Sequence, residues 1–246
     1  MRMLLVFCFI CTTVLLTAQI QTDRPDQTES SSTVGKGELQ IESGVLVQHT
    51  DGVREILIPT NLFRYGLTKN VELRVLSEYG LFKNGSFEAD GITDLQIGTK
   101  IQLMKNENKN TEIAFLSHLI VPSGTSGFTI NEYGTINKLS ISHSLSENIS
   151  IGYNLGYDYI QSNNGNFTYS LALGFSVNDH FGMYIEPFGS WVEFEEFDHN
   201  FDAGITYLVN DNCQLDFSFG TGISNEFNYI SVGASWLIQP NNEGNL

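Results

Sequence analysis

The side chains with the most chemistry on offer in this sequence are charged residues set at every second position of otherwise apolar runs. Gln40, Glu42, Arg64, Glu72, Arg74, Glu78, Asp94, Gln96, Lys100 and Gln102 all share the polar parity of their segments. Successive side chains of an extended chain point to opposite faces, so these residues lie on one face of neighbouring strands. Carboxylates and guanidinium groups gathered this way form an ionic network, expected from Glu42, Arg64, Glu72, Arg74, Asp94 and Lys100. Two kinds of work suit such a network. It can fix strand register with paired charges and water, or it can act as a selectivity surface that orients a polar solute. Further along, Glu112, His118, Lys138, Asp158, Glu186, Asp202 and Asp216 fall on the same parity. Acids outnumber bases there, and an acidic excess biases a water-filled path toward cations.

Enzymatic chemistry finds little support. His49, His118, His143, His180 and His199 are scattered singly, and none is spaced as a metal pair. Ser140, Ser142 and Ser144 surround His143, but on a strand these serines face the side away from it and cannot form a nucleophile–base pair. Gly165, Gly174 and Gly182 are followed by no helix, so no phosphate loop is present. Glu88, Asp90 and Asp94 lack the spacing of a calcium loop and read as solvated acids. No catalytic residue, metal or cofactor is expected.

The elements that position the charged face are strands. From Gly37 onward the sequence alternates with period two, most cleanly from Ile149 to Tyr159 and from Phe167 to Val177. The same test gives about twelve strands, centred near residues 43, 60, 76, 98, 116, 140, 155, 172, 186, 205, 218 and 233. Pro59 and Pro187 would each remove a ladder donor, so a bulge is expected at one or both. Connections alternate in length. Thr68–Asn70, Ser146–Asn148, Asn178–His180 and Asn210–Asn212 are tight, with Lys105–Asn110 longer, whereas 83–91, 122–133, 162–166, 193–200 and 224–228 are long, with Thr50–Gly52 the short exception. Short turns on one rim and long loops on the other characterise outer-membrane barrels, and both termini then fall on the short-turn, periplasmic side. A soluble sandwich is the alternative, in which aromatics also alternate. Tyr79, Phe115, Tyr159, Phe167, Trp191, Tyr207, Tyr229 and Trp236 stand near strand ends, where interfacial girdles would sit.

Residues 1–18 carry Arg2 and an apolar run from Met3 to Leu16 that is too short to span a bilayer as a helix, and they read as a signal peptide cleaved near Ala18. Residues 19–36 form a polar periplasmic segment, 37–238 the barrel and 239–246 a polar tail. Cys8 and Cys11 leave with the signal, so Cys213 alone permits no intramolecular disulfide. The formal charge of −16 repels phosphate and disfavours nucleic acid.

Several stretches resemble a known family. They are Thr22 to Glu29, then Gly37, Gln40, Glu42 and Gly44, then Arg64-Tyr65-Gly66-Leu67 with Val71 to Arg74, then Gly91 to Asp94 with Gly98 and Lys100. Together they are similar to the outer-membrane transporters assigned to the meta-pathway of phenol degradation. The resemblance covers about the first half of the mature chain. It implies an all-β, antiparallel, up-and-down transmembrane barrel in the bacterial outer membrane. Such a barrel is expected to pass small, hydrophobic or aromatic solutes, with outer-membrane lipid, the solute and the assembly machinery as partners. Asp23-Arg24-Pro25 resembles the most distinctive stretch of that family and is expected to fold into the periplasmic mouth as a partial plug, Arg24 pairing with a lumen acid such as Glu42. The alternative function is a closed structural barrel whose loops 123–132 and 193–199 bind an external partner. One departure stands out: the last strand, with Trp236, is followed by a polar tail rather than ending the chain on an aromatic residue.

Overall fold

The structure is a computed structural model that describes residues 20–106, 110–161 and 164–240. The expected signal peptide lies outside the described residues, as does the tail beyond Pro240. Among the described residues thirteen strands follow one another: β1 (Leu39–Thr50), β2 (Val53–Gly66), β3 (Val71–Asn84), β4 (Phe87–Ile92), β5 (Leu95–Asn106), β6 (Thr111–Val121) and β7 (Gly134–Ser144), then β8 (Ile149–Ile160), β9 (Asn166–Ser176), β10 (Phe181–Val192), β11 (Glu196–Asn210), β12 (Cys213–Gly222) and β13 (Phe227–Ile238). Each pairs antiparallel with its neighbours, and β1 pairs with both β2 and β13, which closes a twelve-strand barrel. The extra strand, β4, pairs only with the outer end of β3, while β5 pairs with its inner end. β4 and β5 are thus two halves of one strand broken at Thr93-Asp94.

Alternation sorts the side chains in the opposite sense to a soluble protein. Arg64, Arg74, Lys100, Glu42, Glu72, Glu186 and Asp202 are buried inside, while Leu73, Ile97, Leu119, Leu155, Met183, Phe217 and Val232 are exposed outside. An apolar exterior around a polar interior requires lipid, since a Lys or Arg facing the bilayer midplane costs about 2–4 kcal/mol. This excludes the sandwich and places the chain in the outer membrane. Of the expected girdle aromatics, Tyr229 is the exception: it points inward, only 3% exposed, and donates to Asp202.

The bulge expected at proline occurs at Pro59, where Ile58 and Pro59 together oppose one residue on each neighbouring strand. At Pro187 the register continues unchanged, with pairing to β9 interrupted between Ile185 and Phe188. Loop lengths differ from expectation. The segment 83–91 is mostly a hairpin that turns at residues 85–86, and 193–200 shrinks to a turn at 193–195. The strands run on past the expected loop boundaries there, so only 122–133 remains a long external connection among the described residues. The tight Asp51-Gly52 turn has positive φ at both positions, the geometry that matches strand twist in a two-residue hairpin.

Candidate functional site

The wall formed by β1, β2, β3 and β5 gathers most of the expected charged network. Arg64 Nη1 lies 2.9 Å from Glu42 Oε1, and its Nε lies 3.0 Å from Glu72 Oε1. Arg74 Nη1 reaches the same Glu72 oxygen at 2.8 Å, and its Nε donates to His118 Nε2 at 3.0 Å. Because Arg offers only donors, His118 accepts through Nε2, which leaves its Nδ1 to donate to Gln96 at 3.1 Å. Lys100, although it faces Glu72 across the ladder, makes no salt bridge to a barrel acid among the described residues. Its Nζ lies 2.8 Å from Asp23 Oδ2 and 3.4 Å from Glu29 Oε2, both in the segment before β1. Asp23 also contacts Arg64 at 3.2 Å and Arg74, so one carboxylate bridges three cations. Burial alone would raise the Asp23 pKa, but Arg64, Lys100 and Arg74 hold its carboxyl well below the usual range.

Across the lumen the charge reverses. Counting around the closed ring, β10 and β11 stand opposite β3 and β5, and they carry Glu186 and Asp202 as direct register partners. Asp216 on β12 extends this acidic wall. The segment crosses between the two walls and matches both. Arg24 Nη2 lies 3.2 Å from Asp216 Oδ1 and donates to Ser231 Oγ at 2.7 Å, while Nη1 donates to Thr60 Oγ1 at 3.1 Å. Gly233 makes room for the guanidinium, since a Cβ there would lie 2.4 Å from Arg24 Nε.

Backbone groups of residues 20–38, which belong to no strand, bond to barrel side chains instead. Glu42 accepts from the Asp23 and Arg24 N–H groups, both at 3.0 Å through Oε2, and Glu186 accepts from the Gln27 N–H at 2.8 Å. Asn154 pairs both ways with the Glu29 peptide: it accepts from the N–H at 2.7 Å and donates to the carbonyl at 3.1 Å. At the periplasmic end Ile20 and Val34 pack with Leu208 and Leu237, and the Gly35 carbonyl sits where any side chain at Gly66 would be.

Two expectations are corrected. Asp94 stands apart from the network, at the strand break, where it accepts the Gly124 and Ile130 N–H groups at 2.8 Å each and so pins the external loop 122–133. Those bonds, against the effect of burial, hold its pKa below the usual value. Arg24 pairs with Asp216 rather than Glu42, because Arg64 already occupies Glu42. Pro25 lines a cavity beside Arg24 and carries no charge pairing itself. Glu29 and Asp26 went unassigned in the sequence although both lie within the Thr22–Glu29 stretch. Asp26 is half-buried near Glu186 and Asp202, and desolvation followed by those two carboxylates holds its pKa well above the usual value. Ser140 and Ser142 sit on the lumen side, whereas His143 contacts Thr111 and Tyr153.

Above the segment two cavities continue toward the external side. One, of about 190 Å³, is lined by Arg24 to Gln27, Leu46, Thr60, Leu62, Leu76, Glu78 and Tyr229. The other, of about 230 Å³, is lined by Gln27, Lys138, Asn154, Asp158, Phe188, Ser190 and Asn200 among others.

The family model described as "Putative MetA-pathway of phenol degradation" matches residues 22–237, a span that includes both the inserted segment and every strand. The chain belongs to this family. No curated protein matches the sequence. Among solved structures, this member of the phenol-degradation family is similar to the KdgM porin in complex with disordered oligogalacturonate, with 12% identity, a TM-score of 0.57, and coverage of 80% of this chain and 99% of that one. It is also similar to the NanC porin, with 9% identity, a TM-score of 0.56, and coverage of 80% and 98%. The CymD monoaromatic hydrocarbon channel aligns at 10% identity and a TM-score of 0.49, covering 86% and 90%. For the two porins, at such identities, the likeness is one of fold.

Proposed function

We propose that the protein is a channel for passive, weakly selective passage of small solutes across the outer membrane, small apolar or aromatic compounds among them. In this reading residues 20–34 act as a plug in the periplasmic half of the lumen, and the two charged walls shape the path once the plug shifts. The supporting observation is that a separate stretch of chain, tied to the barrel by side-chain contacts, occupies part of that half of the lumen, beside a cavity of about 580 Å³ lined by Gln21, Ser32, Glu112, Ser142 and Ser150 among others. A barrel whose interior holds a removable segment encloses a path when the segment moves, whereas smaller barrels fill their interior with their own strand side chains. Glu42, Arg64, Glu72, Arg74 and Lys100 would then be the path-lining charges, with Asp94 setting the external loop. The family description and the apolar cavity walls support apolar or aromatic cargo.

The alternative, a closed structural barrel, draws on the density of the same network. Proteoliposome swelling in a size series of neutral sugars tests between them. The channel reading expects monosaccharide flux that rises when residues 21–32 are deleted and falls when a small aromatic alcohol competes for the lumen. No flux from the folded deletion variant would overturn it.

A further inference from the structure

The lumen changes character just above the inserted segment. In the 190 Å³ cavity, Pro25, Leu46, Leu62 and Leu76 supply apolar walls. An apolar cavity of about 150 Å³ takes up benzene, so a single ring or a short branched alkyl group fits here. The polar groups of this cup are unequal. The Arg24 guanidinium is satisfied by Asp216, Ser231 and Thr60. Glu78, by contrast, is in no ion pair or side-chain hydrogen bond among the described residues, and its strongest charged neighbour is another carboxylate, Glu55, ahead of Arg24. Glu55 accepts from Gln48 Nε2 and from no cation among the described residues. Asp26 at the floor likewise has no counter-charge, which agrees with its raised pKa.

The cup also has a roof. Moving outward, the next inward positions after Thr60 and Glu78 are Leu57 and Gly80, which pair with one another. Phe128 of the external loop lies on Gly80: a Cβ there would meet its ring at 2.4 Å, and Leu57 at 3.4 Å. Successive inward positions along a strand are about 7 Å apart, so the ring stands one inward position outward of Glu78, above the residues that line the cup. The loop is held in that position by Asp94, by Thr125 donating to the Ile92 carbonyl at 2.8 Å, and by Thr125 packing on Gly91.

We propose that this cup binds a small apolar compound bearing a primary ammonium group, with its body among Leu46, Leu62 and Leu76 beneath Phe128 and its ammonium at Glu78. A neutral alcohol of the same shape gains the apolar contacts but leaves the carboxylate without a counter-charge, and an anion meets repulsion from Glu78 and Glu55. The proposal deepens the channel reading by naming a ligand class for the same lumen, and it relies on that reading only for how the compound arrives.

Calorimetric titration of the full-length mature protein in nanodiscs, with empty nanodiscs as reference, tests it using benzylammonium, benzyl alcohol and benzoate as probes. Benzylammonium is expected to bind at least about tenfold more tightly than benzyl alcohol, a difference of about 1.4 kcal/mol, and benzoate not at all. Glu78→Gln is expected to bring benzylammonium down to the level of benzyl alcohol. Phe128→Ala, in an external loop, is expected to weaken both several-fold. Equal binding of benzylammonium and benzyl alcohol, or an ammonium preference that survives Glu78→Gln, would overturn the proposal. Sugar flux does not depend on Glu78 recognition, so a failure here leaves the swelling result to judge the channel reading by itself.

Discussion

Asp23 concentrates the electrostatics of the lumen into one side chain. It is buried among Arg64, Arg74 and Lys100, and Lys100 makes its salt bridges to Asp23 and Glu29 rather than to its register partner Glu72 among the described residues. Removing one partner of a buried ion pair costs about 3–5 kcal/mol, because the remaining charges stay in the interior uncompensated. Asp23→Ala is therefore expected to lower the thermal midpoint in detergent and expose the segment to protease, and a midpoint unchanged from wild type would count against the network. Acid should act in the same direction. The Asp23 pKa is depressed, so its stabilising contribution is present at neutral pH and is lost as pH falls through the lowered value. Asp26 behaves in the opposite sense. Its pKa is raised, so its contribution is present in acid and is lost as pH rises through the raised value. Asp26→Asn is expected to raise the thermal midpoint at neutral pH and to leave it nearly unchanged in acid, as a midpoint-against-pH series would show.

Among the elements, the strands and the tight periplasmic turns were legible, and the lengths of several external connections were not. Period-two alternation located every barrel strand because one face must meet lipid and the other the lumen, and that demand acts on each residue in turn. Turns lack such a constraint. The segment Lys83 to Gly91 reads as loop because Asn84-Gly85-Ser86 interrupts the pattern, yet two further ladder pairs on either side of that turn would already make it a hairpin, as β3 and β4 do. The position of Asp94 was hidden for a related reason. Parity places it with the lumen charges, but the break between β4 and β5 frees it to bind the loop, and nothing local in the sequence announces that break. Glu42, Arg64, Glu72, Arg74 and Lys100 did come together, since cross-strand neighbours on one face must meet. Their partners Asp23 and Glu29 arrive from outside the strand pattern, where periodicity carries no information. The glycines beside Arg24 offer a test at this scale. Gly233→Ala places a methyl group against the guanidinium and is expected to break the Arg24–Asp216 pair while keeping the barrel intact. Faster proteolysis within residues 21–32, with an unchanged barrel mobility shift on electrophoresis, is the outcome to look for.

At the scale of the whole molecule, the barrel is a charge-separated tube whose complement is its own N-terminal segment. Basic β2, β3 and β5 face acidic β10, β11 and β12, and the segment presents Asp23 and Glu29 to the first wall and Arg24 to the second. With the segment in place the lower lumen is narrowed to the cavities beside it. With it removed, the basic wall keeps three cations against Glu42 and Glu72, and the opposite wall keeps its acids. With Glu78 and Glu55 also facing the lumen, acids outnumber bases over both walls together, and reversal-potential measurements on the deletion variant are expected to show a preference for cations. The central claim is that residues 21–32 block a path that exists without them. Planar-bilayer recording of the native chain beside the variant lacking residues 21–32 tests it most directly: the variant should show a steady single-channel conductance several-fold above the native one, and equal conductance from two correctly folded barrels would contradict it.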